Sequence, residues 1–265
     1  ALHHRAMALG ALNRHEEAYA LLQEAYELRV EFQGAQHVST LMELTQLAAN
    51  LTNRGLYLES IDIYQRLLPD LERRLGSQHQ QVLTVLNNAA VSHDLAGLLE
   101  ESAGLHRESL SRRRAKFGDQ HGDVAESLQN LGSVLTRLEK YEEALPPLLE
   151  AARLFPGIYQ EGSPRLAYPH ISLAIVYSLT GENELLESHA RTALDLLEGK
   201  APETHPALLR TRCLLGDALI RRGDRGSGIP LLEQSIAGLE SQTSISPVHL
   251  QACRDALSRA RASSP

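Results

Sequence analysis

Residues 128–156 read LQNLGSVLTRLEKYEEALPPLLEAARLFP. Apolar side chains recur in this stretch three or four positions apart, for example at Leu131 and Leu135 and again at Ala144 and Leu148. Such spacing places them on one helical face on each side of a short polar turn. The stretch therefore predicts two antiparallel amphipathic helices that pack against each other.

The same pattern returns every 42 residues, in six units. One position of the period always holds a small residue: Ala6, Ala48, Ala90, Gly132, Ala174 and Gly216. A second position marks the turn between the two helices: Asn13, Gly55, Gly97, Glu139, Gly181 and Gly223. Small side chains let crossing helices approach closely. Glycine at the turn can adopt the left-handed conformation that ends a helix.

A single helix pair cannot bury its apolar stripes alone, so neighbouring pairs must stack. We expect an all-α fold, a right-handed α-solenoid of antiparallel helix pairs, with about six repeats plus a terminal helix in one domain over 1–265. The expected repeats are about 1–33, 34–75, 76–117, 118–160, 161–201 and 202–243, with a capping helix at about 247–261. First helices are predicted at 1–12, 37–53, 79–95, 121–137, 166–179 and 205–221. Second helices are predicted at 14–32, 56–74, 98–116, 140–155, 182–198 and 224–240.

The unit resembles the tetratricopeptide repeat (TPR). Consensus positions are matched by Leu131, Gly132, Leu135, Tyr141, Ala144, Leu148, Ala151 and Pro156. The 42-residue period, the Gly-x-x-His step before first helices and Leu86-Asn87-Asn88 are similar to the kinesin light chain type, although only His205-Pro206 keeps that type's His-Pro pair. The Gly118-Asp-Gln-His121 linker resembles repeat arrays of bacterial multidomain proteins. The resemblance implies a TPR superhelix that binds proteins or peptides.

Four histidines occupy one position of the period, directly before first helices: His37, His79, His121 and His205. Packed helices lie about 8–10 Å apart, whereas metal ligands converge to about 2 Å from one ion. We therefore interpret these histidines as residues that satisfy free backbone N–H groups at helix starts. Neither a nucleophile elbow nor a phosphate-binding loop is present in the sequence. We predict a non-enzymatic protein with no catalytic residues, no metal site and no cofactor.

Composition narrows the class of partner. The chain has 33 acidic and 26 basic residues, which does not favour nucleic acid binding. Its apolar runs fall short of the roughly 18 residues that span a bilayer, so we expect no membrane association and a cytoplasmic location. Cys213 and Cys253 stand 40 residues apart without a Cys-x-x-Cys step, so the sequence suggests neither a disulfide framework nor a thiolate metal site, and a reducing compartment fits best. The start at Ala1, within a helical pattern, indicates a piece of a longer protein.

One stripe of each first helix is predicted to remain uncovered and to face a concave groove. Amide side chains gather on this stripe, where their donors and acceptors suit an extended peptide backbone. The candidate peptide-binding residues are Thr45, Asn53, Thr84, Asn87, Asn88, Asp94, Glu126, Gln129, Asn130, Ser133, Arg137, Tyr168 and Ile171. The alternative is a solvated polar face without a ligand.

The family resemblance refines this groove. It implies that Asn88 and Asn130 hold the ligand backbone, as the matching Asn does in related repeats. The terminal-carboxylate clamp of chaperone-binding relatives is not supported, because its Lys and Arg positions read Thr45, Asn87 and Gln129. Arg137, Arg210 and Arg221 could add a preference for acidic side chains.

The function predicted from these patterns is a non-catalytic scaffold that binds a protein or an extended peptide, as a regulatory or recruiting part of a larger bacterial protein. Two alternatives remain open. The first is a structural spacer or self-association element whose faces contact other chains. The second is a sensor of a small ligand, motivated by the apolar patch at Tyr168, Ile171 and Ile175.

Overall fold

The computed structural model describes residues 2–241 and 247–262, and all regular secondary structure in these ranges is helical. The α-helices are α1 (Leu2–Ala11), α2 (His15–Gln33), α3 (Val38–Asn53), α4 (Tyr57–Leu75), α5 (Gln80–Leu95), α6 (Leu99–Phe117), α7 (Gly122–Arg137), α8 (Tyr141–Ile158), α9 (Tyr168–Thr180), α10 (Asn183–Leu197), α11 (Pro206–Arg222), α12 (Arg225–Glu240) and α13 (Pro247–Ala262). A short 3-10 helix, Pro164–Ala167, precedes α9. None of these helices combines the length and hydrophobicity that crossing a membrane requires.

The predicted helices match the observed ones to within three residues at every boundary. The largest difference is at the end of α8, which continues through Pro156 to Ile158 where we expected an end at 155. Proline's fixed φ is compatible with a helix, and the last turn closes with a bond from the Tyr159 N–H to the Phe155 carbonyl at 3.0 Å.

The predicted turn conformation is confirmed. The glycines at the turn position have φ values of +80° at Gly55 and Gly97, +83° at Gly181 and +94° at Gly223. Asn13 and Glu139 adopt the same left-handed region, at +57° and +59°. Because side chains with a Cβ are disfavoured there, the repeat imposes this conformation even where no glycine supplies it.

The chain forms two compact units, Ala1–Ser127 and Leu128–Pro265. The predicted single domain over 1–265 stays a prediction. In the first unit, α3, α4 and α5 enclose a core that includes Leu41, Tyr64, Leu71 and Val85. Helix α2 packs on α3 in the same way that α4 packs on α5, so each helix pair is covered by the next.

Buried hydroxyl groups also join successive helices of the first unit. Thr52 Oγ1 lies 2.8 Å from both Ser60 Oγ and Ser92 Oγ, and the Ser60 hydroxyl donates to the Ala48 carbonyl at 2.8 Å. These residues come from α3, α4 and α5. These three hydroxyl groups are therefore satisfied within the repeats.

The small-residue column lies where paired helices cross. Ala48 and Ala90 are fully buried. A Cβ added to Gly132 would lie only 2.4 Å from Leu148 Cγ of the neighbouring helix, and one added to Gly216 would lie 2.8 Å from Leu232 Cγ. The prediction that small residues permit close helix crossing is therefore confirmed.

The second unit ends with α13, which packs on α11 and α12. Cys213 of α11 and Cys253 of α13 are both buried and form a disulfide, with their Cα atoms 5.5 Å apart. The expectation that the two cysteines form no disulfide framework was wrong, because the fold brings together two cysteines that are 40 residues apart in the chain. The cytoplasmic location stays a prediction.

Candidate functional site

The four histidines before first helices act as helix N-caps. The Nδ1 atoms of His37, His79, His121 and His205 accept hydrogen bonds from the backbone N–H two residues later, at 3.2, 3.3, 3.1 and 3.2 Å. Each bond satisfies one of the donors that a helix start leaves free. The interpretation of these residues as helix-start signals is confirmed.

Candidate peptide-binding residues of the first unit lie on α3, α5 and α7. Their side chains differ in how exposed they are and in whether they bond to their own helix. Thr45 is fully buried, and its hydroxyl donates to the Leu41 carbonyl at 3.0 Å. Its assignment to an exposed groove was therefore wrong, because this side chain is enclosed and bonded to its own helix. The Thr84 hydroxyl likewise donates to the Gln80 carbonyl at 3.0 Å, but Thr84 stays partly exposed.

The remaining candidates in the first unit are at least partly accessible: Asn53, Asn87, Asn88, Asp94 and Glu126. Asn88 lies beside the buried Tyr64 of α4. Burial raises the pKa of the Tyr64 hydroxyl to about 12, while Asn88 and Ser60 act in the opposite direction. Asn88 thus faces the phenol of the partner helix, and ligand binding by these five residues stays a prediction.

The second unit contains a pocket of about 480 Å³, a volume within the range of small-molecule sites. Its lining comes from α7, α9, α11 and α13: Gln129, Asn130, Ser133, Tyr168, Ile171, Ser172, His205, Pro206, Ala207, Arg210 and His249. Every predicted candidate of this unit except Arg137 lines it. Three successive first helices, α7, α9 and α11, therefore contribute equivalent faces to one concave site.

One wall of the pocket is a small polar network. The Gln129 side-chain amide donates to Ser172 Oγ at 2.7 Å and to Ser133 Oγ at 3.2 Å. Its carbonyl oxygen is buried without a hydrogen-bond donor among the described residues. Tyr168 is 38% exposed at the rim, whereas Ile171 is 4% exposed and forms part of the apolar floor.

The pocket lining also includes a cation. Arg210 is partly buried, and burial lowers its pKa to about 10. Burial and the charge of Arg210 also lower the pKa of His249 to about 4, so this imidazole is neutral at pH 7. The other two arginines considered for this role differ. Arg221 pairs with Asp217 at 2.7 Å, and Arg137 lies outside the pocket.

Six lining residues were not among the candidate peptide-binding residues: Ser172, His205, Pro206, Ala207, Arg210 and His249. Arg210 had been considered only for a preference for acidic side chains. The period points to two of the six. Ser172 follows Asn130 by 42 residues, and Arg210 follows Tyr168 by 42 residues. Extending the groove columns by one more repeat would have found both. His249 had no such signal, because it belongs to α13, where the match to the repeat is weakest.

A histidine pair lies outside the pocket in the second unit. His170 Nδ1 and His189 Nδ1 are 3.0 Å apart, and the Tyr177 ring stacks on His189 with centroids 5.5 Å apart. Burial, followed by the charge of His189, lowers the pKa of His170 to about 4. Within the described ranges, no group of three or more His, Cys, Asp or Glu side chains could hold a metal ion.

Comparison with known families agrees with this architecture. A model described as tetratricopeptide repeat matches residues 40–115 and 95–156, and a second model with the same description matches residues 1–29. These matches cover more than half of the chain. The chain belongs to the tetratricopeptide repeat family. A search of curated proteins returned no match.

Solved structures share the fold at low sequence identity. Kinesin light chain TPR-like repeats from Podosopora anserina are 19% identical, with a TM-score of 0.65, over 78% of this chain and 99% of that one. BtubC (BKLC) from P. vanneervenii is also 19% identical, with a TM-score of 0.69, over 89% of this chain and 94% of that one. The apo quorum sensor NprR from B. thuringiensis is 12% identical, with a TM-score of 0.70, over 90% of this chain and 63% of that one. The predicted all-α TPR fold of the kinesin light chain type is confirmed.

Proposed function

We propose that this chain is a non-catalytic module that binds an extended peptide segment of a partner protein, and that the pocket of the second unit is its main contact site. The pocket is the observation that carries the proposal. It joins amide and hydroxyl side chains from α7 and α9 to a cationic wall on α11. The resemblance of the Gly118–His121 linker to bacterial arrays supports a recruiting role within a larger bacterial protein.

The chemistry of the pocket favours a peptide. A peptide backbone offers N–H donors and carbonyl acceptors at regular intervals, and Asn130, Ser133 and Ser172 can complement both kinds of group. The apolar side chains of Ile171 and Tyr168 lie beside these polar groups. A few polar contacts next to an apolar anchor are typical of peptide grooves, where the polar groups orient the segment and the anchor supplies affinity.

A fluorescent library of random dodecapeptides tests the proposal. We expect wild-type protein to select a subset of peptides, and the double variant Asn130→Ala plus Ser172→Ala to lose at least tenfold in affinity for them. Gln234→Ala is the matched control, because Gln234 is an exposed amide on α12 outside the pocket. Equal binding by the pocket variant and the control would exclude the pocket as the peptide site. The proposal would also fail if the wild-type protein selected no peptide.

A further inference from the structure

Arg210 differs from its neighbours on α11 in having no anionic partner. Arg212 pairs with Glu203 at 2.6 Å, Arg221 with Asp217 at 2.7 Å and Arg222 with Glu187 at 2.8 Å. In residues 2–241 and 249–262, no carboxylate or other hydrogen-bond acceptor contacts the Arg210 guanidinium. The rest of the chain contains neither Asp nor Glu. An arginine that is partly removed from water without a counter-charge is costly, and an anion from outside the chain would offset that cost.

The surroundings of Arg210 also favour a negative charge. The pocket lining includes no Asp or Glu. The first residues of α11, Pro206 and Ala207, line it together with the helix cap His205, and α9 begins at the lining residue Tyr168. Helix N-termini carry partial positive charge. The start of α11 and the Arg210 guanidinium therefore act on the same space with the same sign.

The polar side chains that line the pocket with Arg210 indicate which kind of anion the pocket can bind. Asn130 and Ser172 line the pocket together with Arg210 and offer both donors and acceptors beside the cation. An acidic residue within a peptide carries a carboxylate and, a few ångströms away, a backbone N–H. Inorganic phosphate at neutral pH supplies mainly acceptors, and therefore matches the cation but leaves the acceptors of Asn130 and Ser172 without donors.

We infer that the pocket selects an Asp or Glu side chain of the bound segment, whose carboxylate pairs with Arg210 while the peptide backbone contacts Asn130 and Ser172. This inference rests on the proposed peptide-binding function and names the specificity of the same site. Arginine suits this role because its planar guanidinium can donate two parallel hydrogen bonds to one carboxylate. The neutral His249 lines the same pocket, so Arg210 is the residue that supplies full positive charge there.

A double-mutant cycle on protein and peptide tests the inference. The tightest acidic dodecapeptide from the random library is resynthesised with each Asp or Glu replaced in turn by Asn or Gln. For one such position, we expect wild-type protein to bind the neutral peptide about 30-fold more weakly, as expected for loss of a buried charge pair. Arg210→Gln should bind both peptides equally weakly, and Arg210→Lys should recover part of the discrimination.

Arg222→Gln is the matched control. It removes the same charge from the same helix, at an exposed position outside the pocket lining, and should keep the full discrimination. Circular dichroism of each variant verifies folding before binding is compared. A set of selected peptides without any acidic preference, or discrimination that persists in Arg210→Gln, would overturn the inference and leave peptide binding intact. If wild-type protein binds inorganic phosphate but no peptide, both the inference and the proposed function fail.

Discussion

The two compact units are built from one repeat but use the polar side chains of their first helices in different ways. In the first unit, Thr45 and Thr84 bond to their own helix, and Thr52, Ser60 and Ser92 bond to one another. In the second unit, the pocket leaves the Gln129 carbonyl and the Arg210 guanidinium without partners in the described chain. The second unit also contains bonds within one helix, for example from the Thr136 hydroxyl to the Gly132 carbonyl, and the first unit also contains buried polar atoms without a partner among the described residues, for example Asn50 Oδ1. What distinguishes the second unit is that Arg210, a cation without an anionic partner in the described chain, lines a pocket.

The irregular segment between α8 and α9 belongs to the second unit. The 3-10 helix Pro164–Ala167 replaces the His-capped start used by α3, α5 and α11. Helix α9 consequently begins only at Tyr168 and spans 13 residues, compared with 16 in α7. The delayed start puts Tyr168 at the first turn of α9, where it borders the pocket. The irregular segment before α9 thus shapes the pocket of the second unit. Residues later in α9 again follow the 42-residue period.

A fall in pH is expected to produce the largest difference between the two units, because it lowers their stability to different extents. Burial lowers the pKa of His170 and His249 to about 4 and also lowers the pKa of His189, all in the second unit. In the first unit, burial and Arg113 lower the pKa of His106 to about 4. Since the unfolded chain binds these protons near pH 6.5, stability should be complete above that pH and fall as the pH drops to about 4.

Urea unfolding between pH 7 and 4 measures this effect. We expect a loss on the order of several kcal/mol for the chain, with the larger share in the second unit. The double variant His170→Gln plus His189→Gln should show a shallower pH dependence than wild-type protein over this range. His106→Gln should reduce the slope less. An unchanged slope in the double variant would show that the histidine pair does not couple folding to pH.

Removal of the disulfide should produce the next largest effect, and only in the second unit. Both cysteines of the chain are in this bond, which closes a 40-residue separation and joins α13 to α11. Reduction should lower the free energy of unfolding by about 2–4 kcal/mol, because the cross-link restricts the unfolded chain. The measurement is urea unfolding with and without a reductant.

The double variant Cys213→Ala plus Cys253→Ala is the control for reduction. Its stability should not respond to reductant. Thiol titration of the unreduced wild-type protein should find no free thiol. Two titratable thiols, together with an unfolding midpoint that reductant leaves unchanged, would contradict the disulfide in solution.

Gly132→Ala tests the close helix crossing in the second unit. The added Cβ would overlap Leu148 Cγ at 2.4 Å, and overpacking of this kind costs about 1–3 kcal/mol. The better helix propensity of alanine returns about 1 kcal/mol, so we expect a net loss of up to about 2 kcal/mol in urea unfolding. Gly104→Ala on α6 of the first unit is the matched control, because nothing lies within 4 Å of its Cβ position, and it should be stabilising.

The helix pairs could be predicted because each depends on short-range rules. Apolar spacing, the small residue at Gly132 and the cap at His121 act within one or two helices, and six copies of the pattern reinforce each other. The pocket was only partly predictable. Asn130 and Tyr168 followed from the exposed stripe, but the unpaired state of Arg210 depends on which carboxylates the whole fold brings near it.

The wrong placement of Thr45 in the groove and the failure to predict the disulfide have the same origin. Thr45 shares its column with Asn87 and Gln129, yet its short side chain bonds back to the Leu41 carbonyl and is covered. The approach of Cys213 to Cys253 depends on how α13 packs, at the end of the chain where the repeat is least regular. In both cases packing by other elements, which local spacing does not reveal, decided the environment of the side chain.

Substitutions at the turn position are expected to have the smallest effect on stability. The same position can be tested in both units. Glu139 in the second unit and Asn13 in the first occupy the glycine position of the turn, with φ of +59° and +57°. A left-handed residue with a Cβ costs about 1–2 kcal/mol, but Asn tolerates this region better than Glu. Glu139→Gly should therefore stabilise the chain by about 1 kcal/mol in urea unfolding, although glycine's greater freedom in the unfolded chain offsets part of the gain. Asn13→Gly should change stability by less than half as much.

Gly97→Ala, at the same turn position in the first unit, should lower stability by about 1 kcal/mol. Equal effects at Glu139 and Asn13 would mean that the left-handed turn is not a source of strain in the second unit.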